Sequence, residues 1–231
     1  MRIGVLFSGG KDSCYAAFLS QKQGHEIVCL ISIISKNPHS YMFHTPNIKF
    51  VKKQAEAMKL PILIQRTAGI KEMELLDLEK AIKRAMKKYK IEAIVTGAIA
   101  SMYQTSRIKS ICDKLKLKCL NPLWQKNQFE MLQDIIGEGF GVLITGTFAL
   151  GLEDFVGRKI NQEFIRDIKK IHEKYKINVA GEGGEFESFV LDCPLFKRKI
   201  EIERSQIKKD KDNCSILIID KIRFINKKHY K

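Results

Sequence analysis

The chain has 231 residues, of which 45% are hydrophobic and 29% charged, and its formal net charge at pH 7 is +15. These proportions are typical of a soluble globular protein, and no apolar run reaches the ~18 residues of a membrane span, so neither a membrane protein nor a membrane partner is expected. The charge is uneven, because residues 1–120 contain 21 of the 41 basic side chains but only 9 of the 26 acidic ones.

Charge and cysteine content limit the partners and the compartment that we expect. The basic surplus of the first half would suit an anionic partner such as a nucleotide, RNA or an acidic protein, or would simply reflect a lysine-rich proteome. The six cysteines show no Cys-x-x-Cys spacing, which argues against a zinc site and a thioredoxin-type redox pair. The N-terminal residues show no signal peptide, so we expect a cytoplasmic protein.

The first half of the chain alternates strand-like apolar runs with helical patterns. Strands separated by helices at this spacing predict right-handed βαβ units, and their almost wholly apolar sequences predict a parallel sheet covered on both faces. We therefore predict an α/β fold with a Rossmann-like N-terminal domain over residues 1–122. The strands are predicted near 2–7, 27–34, 62–66, 92–97 and 117–120, and the helices near 11–23, 46–59, 72–90 and 101–115.

A loop of small residues, Ser8-Gly9-Gly10-Lys11-Asp12-Ser13, lies between the first strand and the first helix. Two adjacent glycines let the backbone approach an anion, and the N–H groups of the following helix point at the same place. The serine hydroxyls and the Lys11 ammonium would add donors. A carboxylate beside phosphates is repelled unless a divalent cation lies between them, so Asp12 predicts a Mg²⁺ site. The loop is thus predicted to bind nucleotide phosphates.

The order of these six residues excludes two common phosphate loops. The Walker A spacing is absent, and so is Gly-x-Gly-x-x-Gly. The loop instead resembles the PP-loop signature Ser-Gly-Gly-x-Asp-Ser of the ATP pyrophosphatases, which cleave ATP between the α and β phosphates and release pyrophosphate. That resemblance implies ATP and Mg²⁺ as cofactors and the adenine nucleotide alpha-hydrolase-like variant of the Rossmann fold. A plain glycine turn between a strand and a helix is the alternative.

Three segments follow predicted strands and should converge at the carboxyl ends of the sheet, where ligands bind in such folds: Ser8–Ser13, Gly97–Ser101 and the segment after Ile34. The last of these, Ser35–Thr45, is either a lid over the nucleotide or a plain surface loop. The next helix is predicted to start at Thr45-Pro46, with a capping hydroxyl and a proline in the first turn.

The stretch from Thr96 to Arg107 is a second candidate for the site. Gly97 ends a strand, and Ser101 is a predicted N-cap of the following helix. Gln104 and Arg107 are three residues apart and therefore share a helix face. Arg107 would reach a phosphate or a carboxylate, and Gln104 would orient the substrate. An ordinary surface arginine and glutamine are the alternative.

Asn121-Pro122 interrupts the alternating pattern, so we place a domain boundary after residue 122. A smaller α+β domain over residues 123–231 is predicted, and we assign substrate recognition to it. Its last two strands are expected to form an antiparallel hairpin around the polar segment Lys208–Asn213. Helices are predicted near 127–137 and 161–174, and strands near 140–146, 188–191, 197–204 and 215–225.

The second half also contains an acidic, glycine-rich stretch, Gly181-Glu182-Gly183-Gly184-Glu185-Phe186-Glu187. In an extended segment, Glu185 and Glu187 point to the same side of the chain. Two like-charged carboxylates together are costly unless a cation, a metal or a proton joins them. The stretch is therefore either a binding site for a positively charged group or an acidic surface turn.

Taken together, these segments resemble the diphthine–ammonia ligase family, the PP-loop enzymes that complete diphthamide synthesis. The resemblance is carried by Ser8–Ser13, by Thr96–Arg107 continuing to Asn121-Pro122-Leu123-Trp124, and by Gly181–Glu187. It extends over residues 1 to about 205 and is most specific in the last of the three segments. Thr105 departs from the family pattern, in which a larger basic residue is more usual.

The resemblance implies ATP-dependent amidation of diphthine, a modified histidine of translation elongation factor 2. Its carboxylate would become an acyl-adenylate, and ammonium would supply the nitrogen as AMP leaves. The loop Ser8–Ser13, with Gly97 and Ser101, would bind ATP, and Asp12 would hold Mg²⁺. Lys11, Asp12 and Arg107 are the catalytic candidates. The substrate candidates are Gln104, Arg107, Glu182, Gly183, Gly184, Glu185 and Glu187.

The trimethylammonium group of diphthine suggests a role for the acidic stretch. Glu182, Glu185 and Glu187, with Phe186 nearby, would form an acidic and partly aromatic seat for that cation. Ammonium or a metal ion is the alternative ligand. Whether the protein forms a homo-oligomer is left open by the sequence.

Two other functions use the same loop. A PP-loop enzyme that adenylates a transfer RNA base would account for the basic first half, although the paired cysteines of many thiolation enzymes are absent. A nucleotide-sensing protein without turnover is the other alternative, but such a protein has no need of Asp12 beside phosphate.

Overall fold

The five apolar runs of the first half form one parallel sheet, within a unit that spans residues 1–124. The computed structural model describes residues 1–37, 47–209 and 214–227. The strands are Arg2–Leu6 (β1), Glu26–Ser35 (β2), Ile62–Thr67 (β3), Ala93–Val95 (β4) and Lys118–Leu120 (β5). The helices between them are Lys11–Lys22 (α1), Val51–Met58 (α2), Met73–Tyr89 (α3) and Met102–Lys114 (α4).

The strand order is β3-β2-β1-β4-β5, and each neighbouring pair is parallel, so the predicted Rossmann-like α/β fold is confirmed. The chain moves outward from β1 through β2 to β3 and then returns to β4 on the other side of β1. This reversal leaves a crevice between β1 and β4 at their carboxyl ends, the usual ligand position in open α/β sheets.

The inner strands β1, β2 and β4 are almost wholly apolar and buried because helices pack on them. Leu78 and Ile82 of α3 and Ile108 of α4 pack in one buried cluster with Ile31 of β2 and Ile94 of β4. Strands covered in this way need no polar face, which is why they read as continuous apolar runs.

The segment between β2 and α2 differs from the prediction. The α-helix begins at Val51, after a 3₁₀ turn at Ile48–Phe50, and not near residue 46. Asn47 has a left-handed backbone with φ of 65°, which does not continue a right-handed helix toward the N-terminus. Residues 38–46, which contain most of the proposed lid and the Thr45-Pro46 helix start, lie outside the described residues.

The described elements of the second unit, residues 125–231, are Gln128–Gly137 (α5), Gly141–Thr147 (β6), Gln162–Tyr175 (α6), Phe186–Asp192 (β7), Arg198–Lys209 (β8) and Ser215–Asn226 (β9). The four strands form an antiparallel sheet in the order β7-β6-β9-β8, so the unit has the predicted α+β character. The predicted strand near 197–204 continues to Lys209, because β9 pairs with it along the whole length. Residues 210–213 of the predicted hairpin loop lie outside the described residues.

Across residues 1–37, 47–209 and 214–227, no helix is both long enough and apolar enough to cross a membrane.

Candidate active site

The structure brings the loop after β1 and the loop after β4 together at the carboxyl ends of the sheet. Gly97 lies against the first turn of α1, so closely that a Cβ atom there would be 2.8 Å from the carbonyl carbon of Asp12 and 2.9 Å from the nitrogen of Ser13. Contacts between backbone atoms at such a distance leave room only for glycine. Gly97, which the sequence predicts to contact the nucleotide, therefore has a packing role: it lets β4 approach the predicted phosphate-binding loop Ser8–Ser13, called the phosphate loop below.

The two serines of the loop close it through their hydroxyl groups. Ser13 Oγ donates to the carbonyl of Gly10 at 3.1 Å and accepts from the backbone N–H of Ser8 at 3.3 Å. Ser8 Oγ accepts from the N–H of Gly10 at 3.4 Å. Gly9 has a φ of 79°, in the left-handed region that glycine adopts without strain. The sequence prediction used the serines as phosphate donors, whereas in the structure they also hold the loop's own shape.

Lys11 and Asp12 form a pair of opposite charges at the start of α1. Lys11 is only 2% exposed, and its Nζ lies 3.0 Å from Oδ2 of Asp12. A buried ammonium needs such a partner, because desolvation of an unpaired charge is costly. The pair lies at the positive end of the α1 dipole, where an anion would also be stabilised.

A single carboxylate is compatible with Mg²⁺ at this place. Among the residues that the structure describes, no three His, Cys, Asp or Glu side chains are grouped so as to hold a metal ion by themselves. Mg²⁺ in nucleotide sites usually takes one or two carboxylates, and substrate phosphates and water complete its octahedron. Asp12 fits that pattern as a protein ligand to a metal that the nucleotide would also bind.

A polar residue that sequence reasoning missed supports the phosphate loop from α2. Gln54 is fully buried, and its Nε2 donates to the carbonyl oxygen of Gly9 at 2.9 Å. It lies on the face of α2 that also buries Val51 and Met58. A glutamine on the apolar face of an amphipathic helix was the signal in the sequence, since a buried amide requires a hydrogen-bond partner.

The loop after β4 begins α4 as the sequence predicts. Ser101 is the N-cap, and its Oγ accepts from the N–H of Gln104 at 3.4 Å. Thr96 Oγ donates to Oδ1 of Asn121 at 2.6 Å, which joins the end of β4 to the end of β5. The hydroxyl of Thr105, where the chain departs from the family pattern, is buried without a hydrogen-bond partner among the described residues.

Arg107 is held by a carboxylate of the chain itself. Its Nη2 and Nε donate to Oε1 of Glu72 at 2.8 and 3.1 Å, and the Tyr103 hydroxyl reaches the same oxygen at 3.3 Å. The guanidinium also stacks on the Tyr103 ring, 3.5 Å from its centroid. Glu72 lies in the loop before α3, so this cluster joins the N-terminal ends of α3 and α4 at the ligand edge of the sheet.

Glu72 and Arg107 stabilise each other's charged forms. The hydrogen bond from Arg107 holds the pKa of Glu72 below its ordinary value, and the same bond raises the pKa of Arg107. The pair lies in solvent, so its contribution to stability is small. Its importance is geometric, because it orients a guanidinium that is complementary to a carboxylate or a phosphate.

In the second unit, the acidic stretch is a turn closed by its own glutamate. Glu185 Oε1 accepts from both the backbone N–H and the side-chain Nδ2 of Asn178, each at 2.9 Å. Gly181 and Gly184 have φ values of 72° and 86°. A Cβ on Gly183 would come within 2.7 Å of Oε1 of Glu185. The glycines are therefore needed by the turn itself.

The aromatic part of the predicted cation seat is wrong. Phe186 is 3% exposed and packs edge-to-face on Phe164 of α6, with 5.9 Å between the ring centroids. Glu185, just before β7, and Glu187, within it, are both partly exposed. The ring of Phe186 is therefore part of the core and does not face a ligand.

Comparisons with known proteins agree along both halves of the chain. Residues 1–119 match the family described as diphthamide synthase N-terminal domain, and residues 127–225 match diphthamide synthase C-terminal domain. The chain is 37% identical over 230 residues to diphthine–ammonia ligase of Bos taurus, covering 90% of this chain and 85% of that protein. It is 36% identical over 230 residues to the protein of the same name from Homo sapiens, with the same coverage.

A solved structure with a similar course of the chain is described as a "predicted subunit of tRNA methyltransferase" from Methanocaldococcus jannaschii. It is 16% identical, covers 84% of this chain and 98% of its own, and has a TM-score of 0.42.

Proposed function

The chain belongs to the diphthamide synthase family, and from that membership we propose that it is a diphthine–ammonia ligase, which forms a C–N bond at the expense of ATP. The observation that carries the proposal is that both family domains match in order along one chain. The PP-loop at the carboxyl end of β1 supplies the nucleotide chemistry that this reaction needs.

The reaction is an activation followed by a displacement. The carboxylate of diphthine attacks the α phosphorus of ATP, forming an acyl-adenylate and expelling pyrophosphate. Ammonia then attacks the acyl carbon and forms the amide, and AMP leaves with the electron pair of the acyl–oxygen bond. Activation is required because a carboxylate is a poor electrophile and a hydroxide is a poor leaving group.

We assign the nucleotide to the domain of residues 1–122. The backbone N–H groups of the loop Ser8–Ser13 and the N-terminus of α1 would bind the β and γ phosphates. Lys11 would place its charge on the pyrophosphate as it leaves. Asp12 would hold Mg²⁺, which when bound offsets the charge that accumulates on that leaving group. Gly97 and Ser101 would border the same pocket.

Arg107 and Gln104 would orient the acceptor. Arg107 already binds one carboxylate, that of Glu72, through two donors, which supports its use for the α phosphate or the diphthine carboxylate. Gln104 lies one turn before it on α4 and would fix the substrate with its amide.

The acceptor protein would be recognised mainly by residues 123–231. Elongation factor 2, which works in the cytoplasm, is the protein that we propose. The trimethylammonium group of the factor's diphthine would lie against the acidic turn, where carboxylates would offset its positive charge without an aromatic side chain. The residues of that turn are Glu182, Gly183, Gly184, Glu185 and Glu187.

One assay tests the proposed reaction. The full chain is incubated with ATP, Mg²⁺, isotopically labelled ammonium and diphthine-bearing elongation factor 2, and AMP release and label in the factor are measured. We expect both, in equal amounts, and Asp12→Asn should lower the rate about a hundredfold or more, because charge on the leaving group is then uncompensated.

The matched control is Asp113→Asn, which removes an exposed carboxylate of α4 that pairs with Lys109 at 2.8 Å. It should leave the rate within twofold of wild type, since exposed pairs contribute little. A parallel incubation adds transfer RNA, and AMP release that depends on it, with no label in the factor, would overturn the proposal in favour of a base-modifying enzyme. The absence of AMP under all these conditions would leave only a nucleotide-binding protein.

A further inference from the structure

Gln54 of α2 is a buried polar side chain that contacts the phosphate loop from another helix of the unit. Its Nε2 donates to the carbonyl oxygen of Gly9 at 2.9 Å across 45 residues of sequence. We infer that Gln54 is a positioning residue for ATP binding, and that it holds the peptide between Gly9 and Gly10 in the orientation that the nucleotide requires. This inference rests on the proposed use of the loop for ATP.

The peptide between Gly9 and Gly10 needs such support. A peptide unit is planar, so the direction of the Gly9 carbonyl fixes the direction of the Gly10 N–H on its other side. Glycine moves between positive and negative φ at little cost, and Gly9 has a φ of 79°. Two adjacent glycines therefore let this peptide flip, and a flip would turn a carbonyl oxygen toward the phosphates. The Gln54 bond opposes the flip at the carbonyl side of the peptide, and the longer bond from the Gly10 N–H to Ser8 Oγ, at 3.4 Å, opposes it at the other side.

The packing around Gly9 shows that the glutamine and the glycine fit each other. A Cβ on Gly9 would lie 2.0 Å from Oε1 of Gln54, so the amide occupies the space that any side chain at position 9 would need. The glutamine is fully buried. Burial of an amide is unfavourable unless its hydrogen bonds are made, and an apolar residue would suit the buried face of α2 better if packing were the whole purpose.

The test compares Gln54→Met with wild type. Methionine keeps the length and most of the volume but cannot donate a hydrogen bond. We expect the Kd for ATP, measured by calorimetry on the full chain, and the KM for ATP to rise about tenfold, as loss of a buried hydrogen bond implies, while kcat changes less than threefold. A role in folding alone would lower the denaturation midpoint and leave the Kd of the folded protein unchanged.

A second variant keeps the test decisive where Gln54→Met folds poorly. In Gln54→Glu, the neutral carboxyl can donate an O–H to Gly9, whereas the ionised one cannot and repels the carbonyl oxygen. Position 54 is fully buried, and burial raises the pKa of a carboxyl. The ratio of the variant's Kd for ATP to that of wild type should therefore fall as the pH is lowered from 8 to about 5.5. Taking the ratio cancels any pH dependence that the two proteins share, and both have the same charged groups beside the loop, Lys11 and Asp12.

The control is Ser20→Ala, a change of another buried polar residue, at the far end of α1. It should leave the Kd for ATP within twofold of wild type. A wild-type Kd in Gln54→Met, or a Gln54→Glu ratio that does not vary with pH, would overturn the inference, as would a wild-type chain that does not bind ATP. If wild type binds ATP but does not amidate, and Gln54→Met binds ATP weakly, the proposed ligase activity fails and the inference stands.

Discussion

At the scale of single residues, Gly97 is a position where neighbouring backbone atoms leave no space for a side chain. The absence of a side chain there lets the loop after β4 lie on the first turn of α1, where backbone atoms of Asp12 and Ser13 would otherwise be 2.8 and 2.9 Å from a Cβ. Neither α1 nor β4 can move aside easily, because both are packed into the sheet.

Gly97→Ala should therefore separate the two loops. We expect it to lower the free energy of unfolding by about 1–3 kcal/mol, as overpacking does, and to weaken ATP binding because Asp12 is displaced. Chemical denaturation and calorimetry on the full chain measure the two effects. The control is Gly137→Ala at the end of α5, where a Cβ meets no atom within 4 Å and alanine favours the helix. Equal stability of the two variants would contradict the packing role of Gly97.

Arg107 and Glu185 show the limit of reasoning from single residues. The sequence indicated that both could bind a substrate, and the roles proposed here keep that function. The structure adds that each is already hydrogen-bonded within the protein, Arg107 to Glu72 and Glu185 to Asn178. These partners are 35 and 7 residues away, and no local pattern predicts the first.

At the scale of elements, α4, α5 and α6 each begin at a capping side chain, whereas α1, α2 and α3 begin without a side-chain cap. Asn161 caps α6, with Oδ1 accepting from the N–H of Phe164 at 2.9 Å, and Asn127 caps α5 in the same way at Phe129. The cap on α6 has a further consequence, because Phe164 is fully buried and packs on Phe155 and Phe186. The first turn of α6 thus helps to fix the base of the acidic turn.

Asn161→Ala should cost about 1 kcal/mol of stability, the usual loss of an N-cap hydrogen bond. The measurement is urea denaturation followed by circular dichroism. Gln162→Ala, at the next exposed residue, provides the comparison and should change stability by less than about 0.5 kcal/mol. A loss for Asn161→Ala no greater than that for Gln162→Ala would show that the cap does not stabilise α6.

At the scale of the whole molecule, the burial and reactivity of the six cysteine thiols measure how tightly the two units are packed. All six lie among the described residues and none forms a disulfide; Cys14, Cys29, Cys112 and Cys193 are buried, while Cys119 and Cys214 are partly exposed. Burial raises the pKa of Cys29 and of Cys193 to about 12. A hydrogen bond between the thiols of Cys112 and Cys119 lowers the pKa of Cys119 and raises that of Cys112.

A thiol-reactive disulfide reagent should therefore modify two cysteines quickly in the native protein and the other four only after denaturation. Cys119 should react at a lower pH than an ordinary cysteine, because the thiolate is the nucleophile and a lowered pKa increases its fraction at a given pH. The rates are measured by absorbance at several pH values, with Cys119→Ser to identify its signal. Six fast thiols would mean that the packing is looser than described, and fewer than six after denaturation alone would indicate a disulfide.

The sequence by itself determined the order of the elements, the parallel sheet and the family. These follow from local signals: continuous apolar runs that alternate with helical patterns, the Ser8–Ser13 loop between a strand and a helix, and the Gly181–Glu187 motif. Each depends on residues that are close in sequence, whose backbone preferences and short-range contacts largely decide the local structure. Even there, the start of α2 was misplaced, since the left-handed backbone of Asn47 has no clear pattern.

Only the tertiary structure decided which side chains support the phosphate loop and which are already engaged. The bond from Gln54 to Gly9 spans 45 residues, the contact of Gly97 with Asp12 spans every element from β2 to β4, and Phe186 lies in the core although the adjacent glutamates do not. Such contacts depend on how the helices pack on the sheets, and packing is settled by shape and volume over the whole unit. For that reason the chemistry of the loop could be read from the sequence, and the means by which the protein holds it in place could not.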